Sequence, residues 1–139
     1  MRNRAGNPTT SRRYFAEQDY DVLHNTRTRV IYDDARHCIL TTREKFDIIA
    51  SDPLDIFVKG TAAIYSKEYF DAIQQHLKTG GSFSLYVPLY ETDERTFKSE
   101  LATLFIAFPY GSVWANLPDG QGYDMVFLGQ IGTAADECG

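Results

Sequence analysis

Strand-like and helix-like segments alternate along this chain until its end, where two strand-like segments follow one another. Runs rich in β-branched and aromatic residues predict five strands, at residues 29–32, 46–50, 82–87, 112–115 and 123–128. Residues 119–122, Asp-Gly-Gln-Gly, form a turn sequence between the last two. The alternation predicts an α/β layered sheet, and the closing pair predicts an antiparallel hairpin at one edge of it.

Apolar residues at helical spacing predict helices between these strands. Tyr65, Tyr69, Ile73 and Leu77 recur every four residues. Gly80-Gly81 is expected to end this helix, because glycine adopts the left-handed C-cap conformation without steric cost. A second helix is predicted between Thr92-Asp93-Glu94, a capping residue followed by acids, and Pro109. Shorter helices are predicted within residues 14–23 and 37–44.

The order of the elements is typical of the methyltransferase-type variant of the doubly wound, Rossmann-like fold. The 139 residues suit one domain, and 43% of them are hydrophobic, enough for a core. Residues 1–13 carry four arginines and no acid, whereas the rest carries 10 basic and 19 acidic residues. We therefore expect a disordered basic leader over residues 1–13, with a nucleic-acid-binding arm as the alternative, and an α/β domain over residues 14–139.

Charge and cysteine content also limit the partners. The acidic body would repel nucleic acid, so none is expected as a partner. No apolar stretch approaches the ~20 residues that span a bilayer, so no membrane contact is expected in this chain. The two cysteines, Cys38 and Cys138, lack metal-site spacing. We expect a reduced, cytoplasmic protein without a metal.

Acidic residues follow two of the predicted strands. Asp33 and Asp34 come after the first strand, and Asp52 and Asp55 come after the second. Ligands of open α/β sheets bind at the carboxyl ends of the strands, so these acids indicate a ligand site. Helix capping or turn formation would explain each acid taken singly.

Several segments, in this order and spacing, resemble spermidine-synthase-like proteins, the polyamine aminopropyltransferases. They are residues 30–37, 45–53 and 65–70, Leu77 with Gly80-Gly81, and residues 87–91. The resemblance covers residues 12–130 and implies the C-terminal portion of that catalytic domain. The fold it implies is a partial doubly wound sheet from which the first two strands are missing.

The resemblance implies transfer of an aminopropyl group from decarboxylated S-adenosylmethionine, the co-substrate, to a diamine. An alkyl ammonium has a pKa near ~10.4, so it must lose a proton before it attacks. On the family's Asp-x-x-Asp motif, Asp52 matches the catalytic base and Asp55 matches the acid that helps hold the amine. Tyr65 and Tyr69 lie near the family's substrate-channel aromatics, although core packing explains them equally well.

On the nucleoside side, the resemblance matches Asp34, followed by Ala35, to the acid that accepts a hydrogen bond from the adenine amine. Three features of the family are missing. There is no glycine-rich loop or ribose-binding acid; Leu85 stands where a polyamine-binding Gln is usual; and Leu117 stands at a substrate-facing aromatic position. The chain is therefore expected to bind the nucleoside weakly and to be inactive alone.

Two alternatives stay open beside this leading assignment as a transferase. An S-adenosylmethionine-dependent methyltransferase of the same fold would carry a second Pro and an aromatic after Asp52-Pro53, where this chain has Leu54-Asp55. A non-catalytic interaction module is the other alternative. Without the first two strands, the strands at residues 29–32 and 46–50 would keep unpaired edges, which favours a homo-oligomer or a complementing N-terminal half.

Overall fold

The computed structural model describes residues 17, 20–52, 61–89, 93–116 and 124–132. It divides at Asp34 into two compact units, and the second unit holds the sheet and the helices. The α-helices are α1 (Ala35–Thr41), α2 (Lys67–His76) and α3 (Glu94–Ala107), and short 3-10 turns cover Val22–His24 and Thr61–Tyr65. The strands are β1 (Phe46–Ser51), β2 (Leu77–Pro88), β3 (Ser112–Asn116) and β4 (Asp124–Gln130).

The four strands form one mixed sheet in the order β1-β2-β4-β3. β1 and β2 are parallel, and α2 lies between them in sequence, as a parallel connection requires. β4 runs antiparallel to both β2 and β3. The predicted α/β sheet and its closing antiparallel hairpin are therefore confirmed, and so are four of the five predicted strands.

Phenylalanine rings connect the helices to one face of the sheet. Phe70 of α2 lies 6.1 Å from Phe83 of β2, measured between ring centroids. Phe83 stacks at 5.5 Å on Phe108, which follows α3, and Phe108 lies 6.1 Å from Phe127 of β4. All four rings are fully buried. Ring pairs at these separations contribute beyond the area they bury, so this chain of rings holds the two helices on the sheet.

Polar caps define where two helices begin. Ser66 precedes α2 and its hydroxyl accepts a hydrogen bond from the Tyr69 amide at 3.3 Å. Asp93 precedes α3 and accepts from the amides of Arg95 and Thr96 at 2.9 and 3.0 Å. These caps satisfy amides that have no partner within the helix. The predicted start of the second helix is confirmed, with Asp93 as the capping residue.

The prediction that Gly80-Gly81 ends a helix is wrong. α2 ends at His76, and both glycines lie inside β2. Phe46 is aligned with Leu77, yet Ile48 is aligned with Ser82, so β2 accommodates extra residues between two pairing positions. Gly80 has a φ of 75°, a conformation that glycine adopts readily. The glycines therefore allow a local irregularity in a strand.

The predicted strand at residues 29–32 is also wrong, because these residues form neither strand nor helix. Val30, Ile31 and Tyr32 are exposed there. A strand needs a neighbour to pair its backbone groups, and a β-rich sequence alone does not supply one.

The two shorter predicted helices have different outcomes. Of residues 14–23, the structure describes only 17 and 20–23, and Tyr20 and Asp21 have positive φ values of 53° and 50°. This left-handed backbone breaks a helix, and only the 3-10 turn at Val22–His24 follows. The helix predicted at 37–44 exists as α1, shifted toward the N-terminus. The predicted leader over 1–13 lies outside the described residues.

The sheet face opposite the helices is exposed where the structure describes it. We call it the open face; it carries even-numbered residues of β3 and β4 and of the regularly aligned parts of β1 (from Ile48) and β2 (Ser82 to Tyr86). Ile48 is 71% exposed, Trp114 64%, Leu128 41% and Val126 37%. Side chains alternate between the faces of a strand, so this face continues through Ser82, Ser84 and Tyr86 of β2.

Candidate functional site

The carboxyl ends of β1 and β2 meet at one edge of the sheet, because the two strands are parallel. Ser51, the last residue of β1, is aligned with Leu85. Asp52 comes next and is exposed. The register therefore places the Asp52 backbone at the level of Tyr86, at the edge where open α/β sheets bind ligands.

A second acid reaches the same edge from β4. Asp124 opens this antiparallel strand and is aligned with Pro88 near the end of β2. The Tyr86 hydroxyl donates a hydrogen bond to the Asp124 carboxylate Oδ1. Both residues are half-buried. The phenol therefore holds this carboxylate in a defined position on the open face.

An exposed aromatic residue completes a row across the sheet at this level. Tyr86 is aligned with Val126, and Val126 is aligned with Trp114 of β3. The Trp114 indole N–H donates to the Ser112 hydroxyl at 2.9 Å. Carboxylates bind ammonium groups by charge-assisted hydrogen bonds, and an indole face attracts a cation within ~6 Å. This arrangement is therefore suited to a cationic amine.

The sequence-predicted residues differ in where they lie. Tyr65 and Tyr69 belong to the core, with exposures of 7% and 3%, so core packing accounts for both positions. Their contact with a substrate stays a prediction. The Asp34 amide donates to the Asp33 carboxylate at 2.8 Å, and Ala35 begins α1.

The structure brings Asp52 and Tyr86 to one edge and leaves other assignments untested. Asp34 belongs to the first of the two compact units, whereas Asp52 belongs to the second. Asp55 and Leu117 lie outside the described residues.

Tyr86 and Asp124 were not among the sequence-predicted site residues. By the resemblance, Leu85 stands where a polyamine-binding Gln is usual, and in the structure Leu85 is fully buried on the helix-covered face. Its neighbour Tyr86 occupies the open face. The signal was present in β2 as a strict alternation, with Ser82, Ser84 and Tyr86 between apolar residues.

Within the described ranges, no cluster of three or more His, Cys, Asp or Glu side chains is arranged to hold a metal ion. No helix in the same ranges combines the length and apolar character needed to cross a membrane.

The fold and this edge define a class: α/β proteins with a mixed sheet whose acids stand at the carboxyl ends of parallel strands. Comparison with known proteins makes the assignment specific. Residues 9–128 match the spermine/spermidine synthase domain family. The chain belongs to this family.

Individual relatives agree with that assignment. A polyamine aminopropyltransferase from Saccharolobus solfataricus is 24% identical over 139 residues, covering 91% of this chain and 46% of the relative. One from Buchnera aphidicola subsp. Acyrthosiphon pisum is 33% identical over 72 residues, covering 52% of this chain and 25% of the relative. The chain spans about half the length of the first of these relatives.

Solved structures show the same fold. Spermidine synthase from Thermotoga maritima superposes with a TM-score of 0.67 at 18% identity, over 92% of this chain and 43% of that one. A spermidine synthase in complex with the transition-state analogue AdoDATO superposes with a TM-score of 0.66 at 17% identity, over 93% and 42%. These likenesses confirm a partial Rossmann-like fold.

Proposed function

We propose that this chain provides the amine-binding and proton-accepting part of an aminopropyltransferase site, with decarboxylated S-adenosylmethionine as co-substrate and a diamine as acceptor. The observation that carries the proposal is the position of Asp52, which follows the carboxyl end of β1 and stands level with Tyr86. Membership of the spermine/spermidine synthase domain family supports the choice of reaction.

The chemistry assigns Asp52 two successive tasks, binding the ammonium ion and accepting its proton. The amine is an ammonium ion at neutral pH, and the carboxylate binds it before the reaction. As the proton moves to Asp52, the nitrogen lone pair attacks the methylene carbon bonded to the sulfonium. A C–N bond forms, the C–S bond breaks, and its electron pair stays on sulfur, so methylthioadenosine leaves as a neutral thioether. A positioned base of this kind contributes ~100- to 10,000-fold.

The other residues take supporting tasks. Asp55 helps hold the attacking amine. The resemblance assigns Tyr65 and Tyr69 to the route by which the amine enters; both are buried in the core here, so this task requires their side chains to become accessible. Asp34, with Ala35 after it, accepts a hydrogen bond from the adenine amine. Asp34 and Ala35 bear on nucleoside affinity and the other three on amine affinity, so kinetics can separate the two groups.

The experiment measures transfer by this chain alone and together with the part of the Saccharolobus solfataricus relative that the match does not cover. Transfer is expected only when both are present, because this chain lacks a glycine-rich nucleoside loop. Asp52→Asn should then nearly abolish turnover, Asp55→Asn should mainly raise the KM for the amine, and Asp34→Ala should raise the KM for the nucleoside. Asp47→Asn is the control, since Asp47 is an exposed acid at the other end of β1 that pairs with Lys78. Near-full turnover by Asp52→Asn at saturating amine would refute the assignment.

A second candidate function is a non-catalytic module that binds another polypeptide, either a second copy or a complementing half. The exposed Ile48 and Trp114 on the open face favour it. The parallel pair of β1 and β2 is of the kind that is usually covered on both faces in all-parallel sheets, although antiparallel sheets often leave one face in solvent. The same experiment decides, because this candidate predicts a stable complex with the complementing fragment and no transfer.

A further inference from the structure

We infer that Asp124, positioned by Tyr86, binds the distal ammonium of a diamine whose other nitrogen lies at Asp52. The inference rests on the proposed function and adds to it a specificity-determining pair. Asp124 is the first residue of β4, and the Tyr86 hydroxyl donates to its carboxylate. This bond holds the carboxylate in a defined position.

The sheet geometry sets the separation of the two acids. β2 lies between β1 and β4, so two strand spacings of about 4.8 Å separate Asp52 from Asp124 across the sheet. Along the strands, Asp52 is level with Tyr86 and Asp124 with Pro88, an offset of two residues or about 7 Å. The two backbone positions are therefore about 12 Å apart.

Asp52 and Asp124 both follow the alternation of the open face, so we take the separation of their carboxylates as about that of their backbones, and it fits a short alkyl diammonium. In extended 1,4-diaminobutane, bonds of about 1.5 Å place the nitrogens roughly 6 Å apart. A charge-assisted hydrogen bond of about 2.8 Å at each end extends the reach to about 12 Å. Asp124 thus distinguishes a diamine from a monoamine, and its distance from Asp52 distinguishes diamines by length.

The side chains around this path are compatible with a methylene chain. Val126 is aligned with Tyr86 on the open face and lies on β4, two residues from Asp124; Trp114 lies one strand beyond, on β3. Apolar contact with Val126 favours the carbon chain of the diamine over water. Trp114 is also the only tryptophan of the chain, so its fluorescence reports directly on this row.

The test is a fluorescence titration of the full 139-residue chain with 1-aminobutane, 1,3-diaminopropane, 1,4-diaminobutane and 1,6-diaminohexane. We expect 1,4-diaminobutane to bind about 10-fold more tightly than 1-aminobutane, since one additional charge-assisted contact has about that effect. Asp124→Asn should bind both equally. Tyr86→Phe should lose part of the preference, because the carboxylate is then less fixed. Asp47→Asn should behave as the unmodified protein.

Asp124→Glu should change which diamine is preferred, an effect that misfolding of the variant would not produce. Its carboxylate extends one methylene, about 1.5 Å, further, so the preferred diamine should shift toward 1,3-diaminopropane. The inference is overturned if the unmodified chain shows no preference for diamines, or if Asp124→Asn retains it. The titration requires no transfer. If the chain discriminates diamines but shows no transfer together with its complement, the proposed function alone is refuted. If transfer occurs and substitution of Asp124 leaves the KM for the amine unchanged, this inference alone is refuted.

Discussion

Glu100 of α3 is a carboxyl group that is half-buried, and its Oε2 is buried with no hydrogen-bond partner in the described part of the chain. Burial raises its pKa from 4.5 to about 6. Below pH 4.5 the group is protonated in both the folded and the unfolded chain and does not affect stability. Between pH 4.5 and 6 the folded chain holds more protons, so stability falls as pH rises. Above pH 6 the folded chain carries the full free-energy cost of burying the charged carboxylate.

We predict that Glu100→Gln stabilises the protein at pH 7 and has little effect at pH 4. A shift of this size corresponds to about 2 kcal/mol if fully expressed, and partial solvent screening reduces the expected gain to about 1 kcal/mol. The measurement is urea denaturation followed by circular dichroism at pH 4, 5, 6 and 7. Glu100→Met keeps the length of the side chain and should gain as much, because it needs no hydrogen-bond partner.

Glu94 is the matched control in the same helix. It is exposed, pairs with Lys98 at 2.6 Å, and lies in the first turn, where a negative charge favours the helix. Glu94→Gln should therefore destabilise slightly at pH 7. If Glu100→Gln and Glu100→Met gave no gain between pH 4 and pH 7, burial of the Glu100 charge would have no energetic consequence, and the reasoning would be wrong.

Three further predictions concern stability. His76→Ala should lower the free energy of unfolding by about 1–2 kcal/mol, because the His76 ring lies 3.1 Å from the Thr42 carbonyl and connects α2 to the segment before β1. An unchanged midpoint in chemical denaturation would contradict this. Gly129→Ala should lower the free energy of unfolding by about 1–3 kcal/mol, since the added Cβ would lie 2.6 Å from the Phe108 ring. A variant as stable as the parent would show that the ring moves aside without cost. Hydrogen bonds from the Thr96 amide and hydroxyl lower the pKa of Asp93, so Asp93→Ala should lower the melting temperature at pH 7. That difference should shrink as pH falls through the lowered pKa, and an equal loss at all pH values would contradict a charge effect.

The alternation of strands and helices could be derived from the sequence because local patterns encode it. The apolar stripe of α2 and the caps at Ser66 and Asp93 are contained in a few neighbouring residues. The pairing of strands is not encoded in neighbouring residues in this way. The β-rich residues 29–32 read as a strand, but a strand depends on a partner distant in sequence, which periodicity does not show.

The glycines after α2 illustrate a second limit. A glycine pair after a helix is consistent with a C-cap, yet here both glycines lie inside β2, in the stretch where its register with β1 shifts. His76 shows the same limit, because its partly buried ring contacts the Thr42 carbonyl, a group 34 positions away in the sequence.

The candidate site was partly predictable for the same reason. Asp52 comes two residues after the apolar run that ends at Ala50, so its place at the carboxyl end of a strand follows from the sequence. Asp124 becomes visible only through the order of the sheet, which inserts β4 beside β2 and brings its first residue to that edge. Tyr86 could have been found from the alternation along β2 alone.

The strand order also governs how the chain can be assembled during synthesis. β3 is made before β4, yet β4 lies between β3 and β2 in the sheet. When β3 leaves the ribosome, β4, its only neighbour among the described strands, has not yet been made. The edge of β2 that will pair with β4 is still unpaired at that time. At about 5–20 residues per second this state lasts on the order of a second, until β4 has been made. A chain interrupted before Asp124 would therefore lose two strands from the sheet at once.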